Sequence, residues 1–374
     1  MLRSVTKTCF AYAYSGADAV RRLFPRFQTQ RTAVPFIVCY HRVVEKFDHS
    51  ARYAIPPMLI STSMLERHID WIGKRFSLVS LDEMTSHLES PRQFRKPPAA
   101  ITFDDGYSDV YYNALPLLKR KGVPCAVFAV TGLIGTDRPQ IFDRLYLSLR
   151  DLELRGLPVA RTILGVSRSM TIDTPVLDRL RQCSDDAFRI MSVLLNTVSR
   201  DQVERIVSAL ESGVRYSRDV FEEMKPLSWD MAGSLVRNGM TLGSHTTSHA
   251  LLTTETLDAA RRELHGSKQT LEVKLKRPIY HFAYPDGRFN AAVVQAVNAA
   301  GYRYAYGICR KRDPQFPMLT IPRKVLWERS CLDPLGRFSP AVMNCQTRWA
   351  FDAKQYCEHD HVSTLEAAIY GSIA

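Results

Sequence analysis

Residues 99–106 read AAITFDDG, and this stretch decides the fold class. Its first five residues carry no charge, which is typical of a buried strand in a parallel sheet. Two carboxylates and a glycine then end the run abruptly, as expected where a strand gives way to a turn and a helix. The stretch therefore predicts one βα unit with polar side chains at the carboxyl end of its strand.

The same alternation of short apolar runs and helical patterns continues on both sides of this unit. PFIVCYH at 35–41 and CAVFAV at 125–130 indicate further strands. Ser63-x-x-Glu66 has the pattern of a capping box that opens a helix. Repeated βα units of this kind predict an α/β fold built on a mainly parallel sheet.

The alternation stops between residues 136 and 226, where helical periodicity dominates. We therefore expect one domain over residues 35–337, with a helical insertion at 136–226. Residues 1–34 indicate a basic, amphipathic segment, and residues 338–374 a tail that wraps the body.

Composition excludes few classes of protein but favours some partners over others. The chain has 374 residues, a hydrophobic fraction of 45% and a formal net charge of +12. Its basic residues are scattered and carry no interleaved aromatic motif, so we expect no nucleic-acid partner. Attraction to an anionic polymer or membrane surface and a merely solvated basic surface both remain open.

Cysteine usage and the N-terminus bear on localisation. The eight cysteines form no CxxC pair, and Cys39, Cys125 and Cys309 lie in strand-like runs, which indicates reduced, buried thiols. No run of about 20 apolar residues appears, and the basic N-terminus lacks the core of a signal peptide. We expect a cytoplasmic protein, with peripheral membrane contact of the N-terminal segment as an alternative. The oligomeric state does not follow from the sequence.

Asp104 and Asp105 are the first candidates for chemistry. Adjacent side chains on an extended backbone point in different directions, so one carboxylate can bind a metal while its neighbour reaches a nucleophilic water. A helix N-cap is the alternative, although a single Asp would satisfy that role.

His245 and His249 follow a short predicted strand that ends at 243–244. The His-x-x-x-His spacing predicts two imidazoles one helical turn apart, a common arrangement for metal binding from one side. Together with Asp105 they would offer two nitrogens and one oxygen, which suits zinc or another borderline divalent ion. Two polar loop histidines are the alternative.

Three motifs in order give the sequence a family resemblance. TFDDGYSD at 102–109, GSHTTSH at 243–249 and FAYPDG at 282–287 resemble the motifs of polysaccharide deacetylases, the fourth carbohydrate esterase family, which includes nodulation-type chito-oligosaccharide deacetylases. The resemblance runs from about residue 36 to about residue 327. It implies a distorted (β/α) barrel of about seven strands with the site at the carboxyl ends of the strands.

The resemblance also implies an activity, namely metal-dependent removal of N-acetyl groups from an amino-sugar polysaccharide, oligosaccharide or lipid-linked glycan. Asp105, His245 and His249 would hold the metal, most simply Zn²⁺, with Co²⁺ or Ni²⁺ as alternatives. Asp104 would be the base that deprotonates the nucleophilic water. A backbone N–H near Asp286 would help to stabilise the oxyanion.

The general acid is a departure from most relatives. Many of them supply a histidine from a Leu-x-His motif late in the barrel, and this chain has no such motif after residue 300. Tyr40-His41 resembles instead the Tyr-His motif of a circularly rearranged branch of the family. We therefore predict His41 as the acid, with a histidine that merely caps the strand end as the alternative.

A second departure concerns the arginine with which many relatives orient the catalytic Asp. His281 stands at its place here. Arg323 is expected to replace it through a bidentate pair with Asp104, and a surface arginine after a proline turn is the alternative.

Substrate contacts are expected from Tyr107 and from the third motif, through Tyr284, Pro285 and Asp286. The aromatic faces of these tyrosines and of Trp327 could stack on sugar rings, and packing in the core is the alternative. Two other functions stay open, hydrolysis of a non-sugar amide and non-catalytic glycan binding.

Overall fold

The computed structural model describes residues 2–23, 35–167, 170, 172–183, 185–214, 218–310 and 312–351. Its centre is a parallel sheet of short, mostly buried strands. The strands in chain order are β1 Phe36–Tyr40, β2 Arg42–Val44, β3 Leu59–Ser61, β4 Ser77–Leu78, β5 Pro98–Phe103, β6 Cys125–Ala129, β7 Thr241–Ser244, β8 His281–Ala283, β9 Tyr304–Gly307, β10 Ile321–Pro322 and β11 Lys324–Val325. Of these, β2 and β3 pair in parallel as a separate two-stranded sheet.

The sheet comes close to closing on itself. Its strands follow the order β10, β9, β8, β7, β6, β5, β1, β11, all paired in parallel, and β4 pairs with the start of β5. β10 and β11 lie at opposite ends of this order, yet only Arg323 separates them in sequence. The chain at 321–325 therefore joins both edges, and counting it once leaves seven strands around the ring. The predicted distorted barrel of about seven strands is confirmed.

Helices cover the sheet and continue beyond it. They are α1 Leu2–Leu23, α2 Phe47–Ser50, α3 Thr62–Arg75, α4 Leu81–Glu89, α5 Leu115–Lys121, α6 Ile141–Leu154, α7 Val159–Ser167, α8 Thr174–Gln182, α9 Ala187–Thr197, α10 Arg200–Glu211, α11 Arg218–Glu222, α12 Trp229–Arg237, α13 Leu257–Leu275, α14 Ala291–Ala299 and α15 Pro340–Thr347. A π-helical turn at Val110–Ala114 precedes α5.

The start of α3 differs from its prediction. Ser61, at the end of β3, is the N-cap and accepts a hydrogen bond from the backbone N–H of Met64. The expected box of Ser63 and Glu66 is wrong because the helix begins one residue before Ser63. The carboxylate of Glu328 also accepts from the Ser61 N–H at 2.7 Å. This hydrogen bond connects the start of α3 to the segment that follows β11.

Helices α6 to α11 lie between β6 and β7 and form the predicted helical insertion. They have an apolar core of their own, in which α6, α9 and α10 pack together around Leu145, Ile190 and Ile206. Because α6 starts just after the loop that follows β6, the insertion stands directly above the carboxyl ends of the strands.

Helices α1 and α15 pack against each other. Ala11 of α1 packs against Val342 and Cys345 of α15 in a small apolar cluster. Residues 24–34 and 352–374 of the predicted terminal segments lie outside the described residues. None of the helices within the described ranges combines the length and the hydropathy that a membrane span requires.

The cysteine prediction holds in part. Cys39 and Cys125 are buried thiols in β1 and β6, as expected. Cys309 is disulfide-bonded, so the expectation of a reduced thiol is wrong there.

Candidate functional site

The Asp-Asp pair lies where β5 ends. The backbone N–H of Asp104 still donates to the Tyr40 carbonyl at 2.9 Å, and Asp105 then turns the chain with φ 72°. Gly106 follows with φ 73°, and a Cβ there would lie 2.8 Å from the Cβ of Ala129. The positive φ and the close approach of Ala129 both require glycine at position 106. The turn buries the carboxylates of Asp104 and Asp105 at the carboxyl end of the sheet.

The two histidines approach each other through a loop, not a helix. Residues 245–250 have no helical structure, and Thr246 and His249 have φ values of 65° and 60°. The predicted helical spacing is therefore wrong, although the imidazole centroids do lie 4.9 Å apart. Glu263 of α13 fixes this loop, since its carboxylate accepts from the N–H groups of Thr247 and Ser248 at 2.8 and 2.9 Å. No sequence pattern marked Glu263 as part of the site.

Asp105, His245 and His249 converge as metal ligands do. Their ligand atoms all lie within 4.8 Å of one another. Oδ1 of Asp105 is 3.5 Å from Nε2 of His245 and 3.3 Å from Nε2 of His249. Both carboxylate oxygens of Asp105 are buried, and neither makes a well-formed hydrogen bond.

The tautomer of His245 also supports a metal-binding role for this residue. Its Nδ1 lies 2.8 Å from the Ala283 carbonyl, which can only accept, so Nδ1 carries the proton. Burial lowers the pKa of His245 to about 4, so the ring is neutral at pH 7 and Nε2 presents a lone pair towards Asp105. Two lone pairs that face each other with no hydrogen between them are unfavourable. A divalent cation is the partner that fits these nitrogen and oxygen ligand atoms.

Asp104 is held by Arg323, as predicted. Nη1 and Nη2 of Arg323 each donate at 2.7 Å to one oxygen of Asp104, and Nη1 also donates to Oγ1 of Thr102 at 3.1 Å. Both side chains are buried. Burial alone would raise the pKa of Asp104, but Arg323 and then His245 outweigh it and hold that pKa well below its usual range.

His281 does not take part in this pair. Its ring nitrogens lie 2.9 Å from the Tyr306 hydroxyl and 2.9 Å from a carboxylate oxygen of Asp82, and its ring stacks on Tyr304. Both ring nitrogens of His281 therefore have hydrogen-bond partners other than Asp104.

His41 follows β1 and lies beside Asp104. A ring nitrogen of His41, the Cys39 sulfur and an Asp104 oxygen lie within 4.8 Å of one another. The side chain is half-buried, borders the cleft described below, and has no hydrogen-bond partner at its buried Nδ1. The structure thus places His41 next to the expected base.

Tyr107 and Tyr284 pack in the core, the alternative to stacking on sugar rings, and the predicted substrate contacts of these two residues are wrong because both rings are buried. Tyr107 is 1% exposed and donates to Asp143 at 2.6 Å, while Tyr284 is 0% exposed and donates to the Leu319 carbonyl at 2.9 Å. Pro285 is buried as well and does not border the cleft.

Asp286 does border the cleft, with φ 57° and an ion pair to Arg288 at 2.8 Å. Trp327 borders it too and packs on Phe47. These two, not the tyrosines, are in position to contact a substrate.

A cleft of about 970 Å³ opens over these groups. Its polar floor consists of His41, Asp104, Asp105, His245, His249 and Asp286. One side is formed by the barrel segment 324–334, and the other by helices of the insertion. A cavity of this size with convergent polar groups is the usual form of a small-molecule site.

The insertion also supports the turn at Asp105, which the sequence did not indicate. Gln140 donates to the Asp105 carbonyl at 3.2 Å, and Asp143 accepts from Tyr107. Arg42 donates to Asp109 at 2.9 Å beneath the Tyr107 ring. Asp109 lies in the quoted 102–109 motif, so the only available signal was its place in that motif.

Comparison with known proteins agrees with this architecture. The sequence matches the polysaccharide deacetylase family over residues 92–153 and 195–305. It is 31% identical over 71 residues to YxkH of Bacillus subtilis (strain 168), named a "putative polysaccharide deacetylase". That alignment covers 19% of this chain and about a quarter (25%) of the relative.

Two solved structures share the fold. The deacetylase PplD of Streptococcus pyogenes, in complex with acetate, superposes with a TM-score of 0.53 at 16% identity, over 84% of this chain and 99% of that one. IcaB from Ammonifex degensii gives 0.50 at 14% identity, over 86% and 97%. The family match agrees with the ordered motifs of the sequence, and the two structures share the barrel fold, so the chain resembles the polysaccharide deacetylases in both sequence and fold.

Proposed function

We propose that this protein is a metal-dependent hydrolase that removes N-acetyl groups from an amino-sugar glycan. The observation that carries the proposal is the convergence of ligand atoms of Asp105, His245 and His249, with both Asp105 oxygens lacking a well-formed hydrogen bond, beside an Asp104 fixed by Arg323. The match to the polysaccharide deacetylase family supports the reaction class.

Asp105, His245 and His249 would hold one divalent ion, with zinc favoured by the two-nitrogen, one-oxygen set and cobalt or nickel as alternatives. Such an ion polarises the amide carbonyl and lowers the pKa of water at the site.

Asp104 serves as the base. Arg323 keeps its carboxylate ionised and fixes its orientation, so it is ready to accept a proton from the nucleophilic water. Burial strengthens the effect of each charge, since little solvent screens the pair.

His41 serves as the acid that protonates the departing amine. It stands next to Asp104, at the border of the cleft, and its buried Nδ1 is not engaged by another group. The backbone near Asp286, which borders the same cleft, would donate to the oxyanion. The products are acetate and a free sugar amine.

The test is acetate release from N-acetylglucosamine oligomers by the metal-free protein, by the protein with zinc or cobalt restored, and by Asp104→Asn. We expect release only with metal, and its loss in the variant. Asp230→Asn is the matched control, because Asp230 is an exposed carboxylate at the start of α12.

The outcomes separate the alternatives. Metal-dependent hydrolysis of simple N-acyl amides, with none of the glycans cleaved, would indicate a non-sugar amidase. Tight glycan binding without any release at saturating metal would indicate a binding protein.

A further inference from the structure

The carboxylate of Asp104 has a second side-chain donor besides Arg323. Sγ of Cys39, in β1, lies 3.3 Å from Oδ2 of Asp104 and donates to it. The contact follows from the sheet, because Cys39 pairs with Thr102 of the neighbouring strand β5. The thiol is buried and adjoins the floor of the cleft. It has no role in the reaction as proposed above.

The Cys39 thiol keeps its hydrogen and directs it to Asp104. Burial raises the pKa of Cys39 well above its ordinary value, although the charge of Arg323 acts in the other direction. The sulfur is therefore protonated at neutral pH. The Tyr40 carbonyl is a second acceptor, but it is uncharged and lies farther away, at 3.6 Å. A carboxylate is the stronger acceptor of the two, so the hydrogen bond to Asp104 is preferred.

This contact makes the two oxygens of Asp104 different. A carboxylate offers about two lone pairs on each oxygen. Oδ2 accepts from Nη2 of Arg323 and from Cys39, so both of its lone pairs are occupied. Oδ1 accepts from Nη1 of Arg323 and from no other group of the residues that the structure describes. One lone pair therefore remains on Oδ1.

The difference matters for a base that must meet its water in one orientation. A carboxylate with a free lone pair on each oxygen can hold water at either of them, and one of these positions is wrong for attack. Displacement of the attacking atom slows such a reaction steeply. A thiol is a weak donor, so it occupies Oδ2 while leaving Asp104 its charge and basicity.

We infer that Cys39 is a positioning residue, which reserves Oδ1 of Asp104 for the nucleophilic water. The inference rests on the proposed function. The water gives a proton to Oδ1 and its oxygen attacks the amide carbon, while the thiol gives up no proton. The same segment carries His41, whose ring nitrogen lies within 4.8 Å of the Cys39 sulfur. The end of β1 thus supplies both the acid and the residue that orients the base.

The experiment measures kcat and KM for acetate release from N-acetylglucosamine oligomers by the full-length, zinc-loaded protein and two variants. Cys39→Ala removes the donor and should lower kcat about threefold to tenfold. KM and zinc affinity should stay unchanged, because the thiol acts through Asp104. Cys39→Ser restores a donor in nearly the same place and should recover most of the lost kcat.

Cys125→Ala is the matched control. Cys125 is also a buried thiol of the sheet, but it begins β6 at the strand end opposite the site, and its sulfur contacts the sulfur of Met240. This variant should keep the kcat of wild type. If Cys39→Ala fails to fold by circular dichroism, Cys39→Val fills the space without a donor and should show the same loss of kcat.

An unchanged kcat in Cys39→Ala would overturn the inference and leave the proposed function standing. Equal losses in Cys39→Ala and Cys39→Ser would overturn it too, since the size of the side chain and not its hydrogen would then matter. A loss confined to KM would assign Cys39 to substrate binding instead. Absence of release by wild type at saturating zinc would remove the proposed function and the inference together.

Discussion

Arg323 is the residue whose replacement tests the site geometry most sharply. It joins β10 to β11, and both of its Nη–Oδ contacts with Asp104 measure 2.7 Å inside the protein. Arg323→Lys keeps the charge but offers a point donor in place of a planar fork. Arg323→Met removes the charge and leaves Asp104 buried without its partner.

The expected magnitudes differ for the two variants. Loss of one charge-assisted hydrogen bond is worth about 1.5–3 kcal/mol, so Arg323→Lys should lower kcat/KM by about 10- to 100-fold through misorientation of Asp104. Breaking a buried ion pair by removing one partner costs about 3–5 kcal/mol, so Arg323→Met should lose that much unfolding free energy in urea and nearly all activity.

The assays are urea unfolding followed by tryptophan fluorescence, and acetate release at fixed zinc. Arg337→Met is the control, since Arg337 is exposed and pairs with Asp333 at the surface. It should change the unfolding free energy by no more than about 0.5 kcal/mol. An Arg323→Met protein with unchanged stability and unchanged kcat/KM would refute the assignment of Arg323 as the positioning partner of Asp104.

Three further predictions concern the support of the site. Burial raises the pKa of Asp143 to about 7, so its contribution to stability is present below about pH 4 and is lost as the pH rises towards 7. Asp143→Asn should therefore gain about 1 kcal/mol per pH unit relative to wild type over that window, measured by urea unfolding, and a pH-independent difference would contradict the shift. Gly106→Ala should destabilise by about 1–3 kcal/mol, since an added Cβ meets Ala129 at a positive φ, and a melting temperature within a degree of wild type would argue against this strain. Glu263→Gln should weaken zinc binding about 10- to 100-fold in a calorimetric titration by loosening the 245–249 loop, and unchanged affinity would show that the loop holds itself.

Much of the fold could be predicted because its signals are local. Uncharged runs that end in polar residues, as at 99–106, mark buried parallel strands, and the missing alternation between 136 and 226 marks the insertion. The start of α3 was missed because two serines stand close together, and only the structure decides which one meets the helix N–H groups.

The residues of the site that could be predicted are those whose chemistry depends on residue type and on order in the sequence. Asp104, Asp105, His245 and His249 stand in ordered motifs, and Arg323 could be proposed because the usual arginine was replaced by His281. Its pairing depends on barrel closure, which no local pattern records.

Burial and long-range contacts account for the errors at the site. From the sequence, Tyr107 and Tyr284 could stack on sugar rings, because a motif does not show whether a ring points into the core or into the cleft. Glu263, Gln140 and Asp143 act on the ligand loops from distant helices, and nothing in their local sequence marks them.

We propose that Asp105, His245 and His249 form a divalent metal site. Calorimetric titration of the metal-free protein with zinc tests it most directly, alongside His249→Ala. We predict one equivalent of tightly bound zinc for wild type and a loss of affinity of at least tenfold for the variant. Absence of zinc binding by folded wild-type protein, or equal binding by both proteins, would contradict the account.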